Sequence, residues 1–105
     1  MSYALIDPVI SAWVGKHALK LFTRYEGNNE IEFRNVYVSS PRGECCQIWI
    51  DEPSDGCVAV HAAEVESVDD EEMRKDWRTP VSDVADTLEE ALAFVQSWME
   101  RSSLR

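Results

Sequence analysis

The chain has 105 residues, 45% of them hydrophobic, and its twenty Asp and Glu against ten Lys and Arg give a formal charge of −10. That length holds enough apolar mass for one core and not two, so a single domain over residues 1–105 is expected. The charge argues against nucleic acid as a partner, because a polyanion is drawn by Lys and Arg that release its counterions; the same field speeds encounter with a basic protein.

Residues 1–11 lack both a basic leader and a long apolar run, and no stretch approaches roughly 18 consecutive apolar residues, so neither a standard secretion signal nor membrane insertion is expected. Asp7-Pro8 followed by Val9, Ile10, Trp13, Val14 and Gly15 reads as a short helix, with Asp7 as N-cap, Pro8 in the first turn and Gly15 as terminator.

From His17 the apolar period changes to two, and four strands are predicted at 17–25, 30–39, 44–51 and 57–66. The runs between them, Gly27-Asn28-Asn29, Ser40-Pro41-Arg42-Gly43 and Glu52-Pro53-Ser54-Asp55-Gly56, are short and rich in turn formers, which makes neighbouring strands antiparallel. Pairing outward from each turn, with Glu26 opposite Glu30, Ser39 opposite Glu44 and Asp51 opposite Cys57, sorts the side chains into two faces. One collects Leu19, Leu21, Tyr25, Ile31, Phe33, Tyr37, Cys46, Ile48, Ile50, Val58, Val60 and Ala62 as a core. The other carries Lys20, Phe22, Arg24, Glu32, Arg34, Val36, Val38, Cys45, Gln47, Trp49, Ala59 and His61.

Residues 67–86 are polar and acidic, with Val81 and Val84 marking a short extra strand or an extended arm. Thr87 followed by Glu90 is a capping box, and Leu88, Ala91, Leu92, Val95, Trp98 and Met99 recur at helical spacing to about Arg101. Residues 102–105 are expected to fray. The architecture expected is therefore α+β: a short N-terminal helix, a four-stranded antiparallel meander, and a C-terminal amphipathic helix packed on one sheet face.

Chemistry-bearing constellations are sparse. Cys45, Cys46 and Cys57 make an odd set with an adjacent pair, a poor disulfide framework without zinc spacing, which fits a reducing cytoplasm. Cys46 and His61 could suggest a thiol dyad, but the register turns Cys46 to the core and His61 to the other face. Asp69, Asp70, Glu71 and Glu72 lack the alternation and turn glycine of a calcium loop. No Gly-rich phosphate loop is present, so no metal, no cofactor and no catalytic residue is expected.

The charge distribution carries more information. Between Glu64 and Glu90 eleven acids face only Arg74, Lys75 and Arg78, so most of the net charge lies there. Asp69, Asp70, Glu71, Glu72 and Asp76 would form a docking surface for a basic partner, with Trp77 as aromatic anchor; the plainer alternative is a solvated loop. Phe22, Val36 and Trp49 on the outer face suggest a second interface, such as a homodimer packed sheet to sheet. The alternative is that the N-terminal helix with Trp13, or the arm around Val81 and Val84, covers that face.

Trp77-Arg78-Thr79, leading through a polar stretch to Thr87-Leu88-Glu89-Glu90-Ala91-Leu92 and Trp98, gives an acidic chain of this length a resemblance to small bacterial immunity proteins of the contact-dependent inhibition type. That resemblance implies a stoichiometric inhibitor whose acidic surface masks a basic toxin, and not an enzyme. Such chains also resemble secretion chaperones, which would dimerise or hold an effector segment through the outer sheet face. A small thiol enzyme is the reading from another class, and it requires an accessible cysteine of low pKa.

Overall fold

The computed structural model describes residues 3–25, 28–40, 45–64 and 74–103. A 3-10 turn, Tyr3–Leu5, leads into α1, Asp7–Lys16. Strands β1 Leu21–Tyr25, β2 Asn28–Ser39, β3 Cys45–Ile50, β4 Cys57–Glu64 and β5 Arg74–Pro80 follow, and a second 3-10 turn, Val81–Asp83, opens into α2, Val84–Ser103. The strands form one antiparallel sheet in the order β1-β2-β3-β4-β5, so the class is α+β with five strands where the turn chemistry predicts four.

The added strand is β5. Its sequence, Arg-Lys-Asp-Trp-Arg-Thr-Pro, has one large apolar residue in seven, which hides any alternation. Such a composition suits an edge: charged side chains and a proline discourage pairing with another chain. Val81 and Val84, expected in a strand or arm, lie instead in the 3-10 turn and at the start of α2. Thr87 is accordingly buried inside the helix and does not cap it, because the helix begins a turn earlier, where Val84 enters the core. At the other end α2 continues through Ser103, past the point where fraying is expected.

At α1, Pro8 occupies the first turn as expected, but the N-cap position belongs to Ile6, which makes no side-chain cap bond. Asp7 is engaged elsewhere: Arg34 Nε donates to its Oδ1 at 2.7 Å and Nη2 to its Oδ2 at 3.1 Å. Gly15 lies within the helix. The chain turns at Ala18, whose φ of +53° is left-handed, while the Leu19 N–H reaches the Val14 carbonyl at 2.9 Å in the bond that closes a Schellman motif.

The register explains which side chains become core. Between β3 and β4 the ladder pairs Ile50 with Val60 and Ile48 with Ala62, shifted by two residues from the expected pairing, so every side chain keeps its expected face. Within the connection, Asp55 and Gly56 have φ of +54° and +76°, and Ser54 and Cys57 exchange backbone bonds across them, the two-residue turn that Asp-Gly favours.

Between β1 and β2 the expected pair Arg24 and Glu32 is present, but a bulge follows, and Phe22 then pairs with Asn35 and Leu21 with Val36. One extra residue in β2 reverses its facing from there on. Arg34, Val36 and Val38 therefore turn inward, while Asn35 and Tyr37 turn outward, correcting the expected assignment at Val36, which is fully buried, and at Tyr37, which is 40% exposed.

The core forms where α1 and α2 meet the inner face of the sheet. Val84, Leu88, Ala91, Leu92 and Val95 of α2 and Ile10 and Trp13 of α1 join Val36, Cys46, Ile48, Ile50, Val58, Val60 and Ala62 in one buried cluster. Trp13 thus belongs to the inner layer and does not cover the outer face. Arg34, 7% exposed, is accommodated inside by Asp7, by the Phe33 carbonyl at 3.0 Å and by the Tyr3 ring 4.2 Å beneath its guanidinium. Tyr3 closes this corner by donating to the Ile50 carbonyl at 2.8 Å; burial, helped by Asp51, pushes its pKa up to about 12.

Candidate interaction surface on the outer sheet face

Following the ladder across the outward side gives a row of directly opposed residues, Phe22, Asn35, Trp49, His61 and Asp76, contributed by five successive strands. A second row holds Tyr37, Gln47, Ala63 and Arg74. Residues opposed across antiparallel strands lie close enough to interact. Phe22 and Tyr37 meet edge to face at 5.3 Å, Trp49 and His61 stack at 4.9 Å with ring planes 20° apart, and the Asn35 amide donates to Gln47 Oε1 at 3.3 Å. Both helices pack on the inner face, and among the described residues no helix covers this one.

His61 is the electrostatic centre of the face. Its Nδ1 lies 2.6 Å from Asp76 Oδ1 and its Nε2 lies 2.8 Å from Asp51 Oδ2, so both ring nitrogens point at carboxylates and the doubly protonated ring satisfies both. Burial disfavours the charged ring, but the hydrogen bonds to Asp76 and Asp51 outweigh it and raise the pKa above the ordinary histidine value. The same hydrogen bond holds the Asp76 carboxyl below its ordinary value, with Arg74 assisting. Arg74 completes the cluster: its Nε is 3.5 Å from Asp76 Oδ1 and its guanidinium stands 5.8 Å over the Trp49 ring.

The expected site residues divide. Asp76 and Trp77 are neighbours on β5 and therefore face opposite sides. Asp76 joins the outer cluster. Trp77 turns inward, half-buried, and meets Phe94 of α2 edge to face at 5.8 Å, with the Lys75 ammonium over both rings. Asp69, Asp70, Glu71 and Glu72 lie outside the described residues. Phe22 and Trp49 take the outer face as expected, and Val36 does not.

The pairing of His61 with two acids is not visible in sequence, where Asp76 reads as part of a loop; only the strand β5 brings it opposite His61. Cys46 is fully buried on the inner face and His61 lies on the outer, so no thiol–imidazole dyad is assembled there. Cys45, Cys46 and Cys57 form no disulfide. Among the described residues, no group of three or more His, Cys, Asp and Glu side chains is placed to hold a metal ion, and no helix is long and apolar enough to cross a membrane.

A concavity of about 420 Å³ lies between the helices, lined by Pro8, Val9, Ala12 and Trp13 of α1 and Ala85 of α2, with Lys16 and Glu89 at its rim. Glu89 accepts from Lys16 Nζ at 2.9 Å and pairs with His17 Nε2, and these two hydrogen bonds, that of Lys16 first, hold its carboxyl below the ordinary range. Its polar groups are thus engaged with one another. No protein-family model, curated protein sequence or solved structure matches this chain.

Proposed function

We propose that this protein is a stoichiometric binding protein that masks a basic protein partner, in the manner of the immunity proteins it resembles. The observation that carries this reading is the outer sheet face: Phe22, Tyr37, Trp49 and His61 gathered on the sheet without a covering helix among the described residues, beside half-exposed Asp51 and Asp76. Aromatic side chains supply contact area at low entropic cost, and acids on a chain of charge −10 steer a cationic partner toward it. The acidic run Asp69, Asp70, Glu71 and Glu72 leads in sequence into β5, so steering charge and contact surface are a few residues apart.

The test is a pull-down with the tagged protein from its source lysate at low and moderate salt, followed by assay of the captured protein alone and in complex. One basic protein recovered in equal ratio, released by salt and inactive in the complex, is the expected result. Recovery of no basic protein overturns the reading. A stable homodimer that captures an extended effector segment instead would favour the secretion-chaperone reading through the same face.

A further inference from the structure

The arrangement around Trp49 is selective in a way that overall charge is not. A guanidinium is planar and weakly hydrated, so it can stack on an aromatic ring while donating in its own plane to carboxylates; an ammonium is a compact, strongly hydrated point charge. Arg74 already does both, over Trp49 and toward Asp76, but each contact is long: 5.8 Å is near the limit for a cation over a ring, and 3.5 Å exceeds the 2.7–2.9 Å of a firm charge-assisted hydrogen bond. Its side chain is 55% exposed, beside Asp76 at 52%. The place is shaped for a guanidinium and loosely filled by the chain's own.

We infer that the Trp49 ring, with Asp76 and Asp51 beside it, is an arginine-docking site for the basic partner, and that Arg74 is an internal stand-in which the partner's arginine displaces. The inference rests on the partner-masking reading and specifies which part of the surface carries it. Asp51 and Asp76 are balanced by His61 and Arg74, so the site gains acceptor strength when either cation is removed. Asp51 beyond β3, Asp76 on β5 and the Trp49 ring on β3 face the His61 imidazole directly, and Arg74 on β5 acts on it through Asp76. Loss of the imidazole proton leaves one N–H for two carboxylates and frees the other to accept from the incoming arginine. Binding therefore tightens as pH rises through the His61 titration.

The experiment uses the full chain, 15N-labelled, titrated with a short arginine-bearing peptide and with its lysine counterpart, and reads the Trp49 indole N–H signal, assigned with Trp49→Phe. Expected are a saturable shift of that signal with the arginine peptide, at least about fivefold weaker binding of the lysine peptide, and tightening by a few fold in Arg74→Gln and on going from pH 5.5 to pH 8. Arg74 is solvent-exposed, and spectral dispersion of the variant verifies its fold. Equal response to the two peptides, no shift at Trp49, or an Arg74→Gln variant that binds no better overturns the docking site. Broadening at Trp49 that grows with protein concentration before any peptide is added also overturns it, assigning the face to a second copy. None of these outcomes touches the pull-down, where a partner held through Asp69, Asp70, Glu71 and Glu72 would still be captured.

Discussion

The two faces of the sheet are held by different physics, though their residues alternate along the same strands. The inner face is organised by burial: Ile48, Ile50, Val58 and Val60 are shielded under α1 and α2, and each fully buried aliphatic side chain contributes about 1.5–3 kcal/mol. The outer face is organised by pairs across strands, each worth roughly 0.2–1 kcal/mol. The inner face therefore sets whether the chain folds. The outer face contributes little to that and is open to be shaped by what it touches.

Ile48 and Trp49 are adjacent on β3 and give the sharpest way to break this contrast. Ile48→Ala is expected to lower unfolding free energy by roughly 3 kcal/mol in a denaturant melt, because a fully buried side chain leaves a cavity between sheet and helices. Trp49→Ala is expected to cost about 1–2 kcal/mol, mainly the stacking on His61 and partial burial, while removing partner or arginine-peptide binding. Equal destabilisation by the two would mean that the outer face is as much a core as the inner one.

The inner face also holds a buried charge, the Arg34 guanidinium, which tests whether a charge there is tolerated because it is paired. Asp7→Ala removes two carboxylate hydrogen bonds from a cation that is 7% exposed. The expected loss is about 1–3 kcal/mol, below that for a fully buried pair because Asp7 itself is 40% exposed. Restoration of stability in Asp7→Ala combined with Arg34→Met would show that the cost lies in a buried charge deprived of Asp7.

Much of the inner face was legible in sequence and much of the outer was not. Strands β3 and β4 alternate cleanly, and an error of two residues in their register preserves which side chains face in. In β2 an error of one, at the bulge opposite Thr23 and again where Ser39 pairs with Cys45 and not Glu44, reverses the facing from Arg34 on, and no glycine announces the bulge. Strand β5 was hidden because an edge strand is selected for charge, which reads as loop. Without β5, Asp76 has no position relative to His61, and Trp77 reads as an aromatic anchor for a partner when the ladder turns it onto Phe94. The apolar stripe of α2 was plain because burial writes directly into composition; the outer cluster depends on which polar residues a ladder opposes.

A smaller effect sharpens the outer side of the comparison. Asn35 sits in the outer row between Phe22 and Trp49, nearly buried, and its Oδ1 has no hydrogen-bond partner among the described residues. Asn35→Val is expected to stabilise the protein by about 0.5–1 kcal/mol, since it removes an unmet acceptor and adds a β-branched residue to a strand, against loss of a long bond to Gln47. Chemical denaturation of the variant measures this, and destabilisation would mean that the amide is satisfied by a contact outside this row.

The last test turns on the protons of the outer face. A raised His61 pKa means that protonation stabilises the folded form: the gain is complete below the unfolded value, about 6.5, and is lost as pH rises through the folded value. Asp76 acts with the opposite sign: ionisation stabilises above its unfolded value, about 3.9, and the gain is lost as pH falls through the depressed folded value. The clamp thus contributes most between about pH 4 and pH 6.5. His61→Gln should lower the melting temperature most in that window and less above the His61 titration, where only the stacking on Trp49 is lost, and an imidazole 15N titration should place His61 above the ordinary histidine value. A melting difference independent of pH would show that the ring acts by packing on Trp49 and not by its charge.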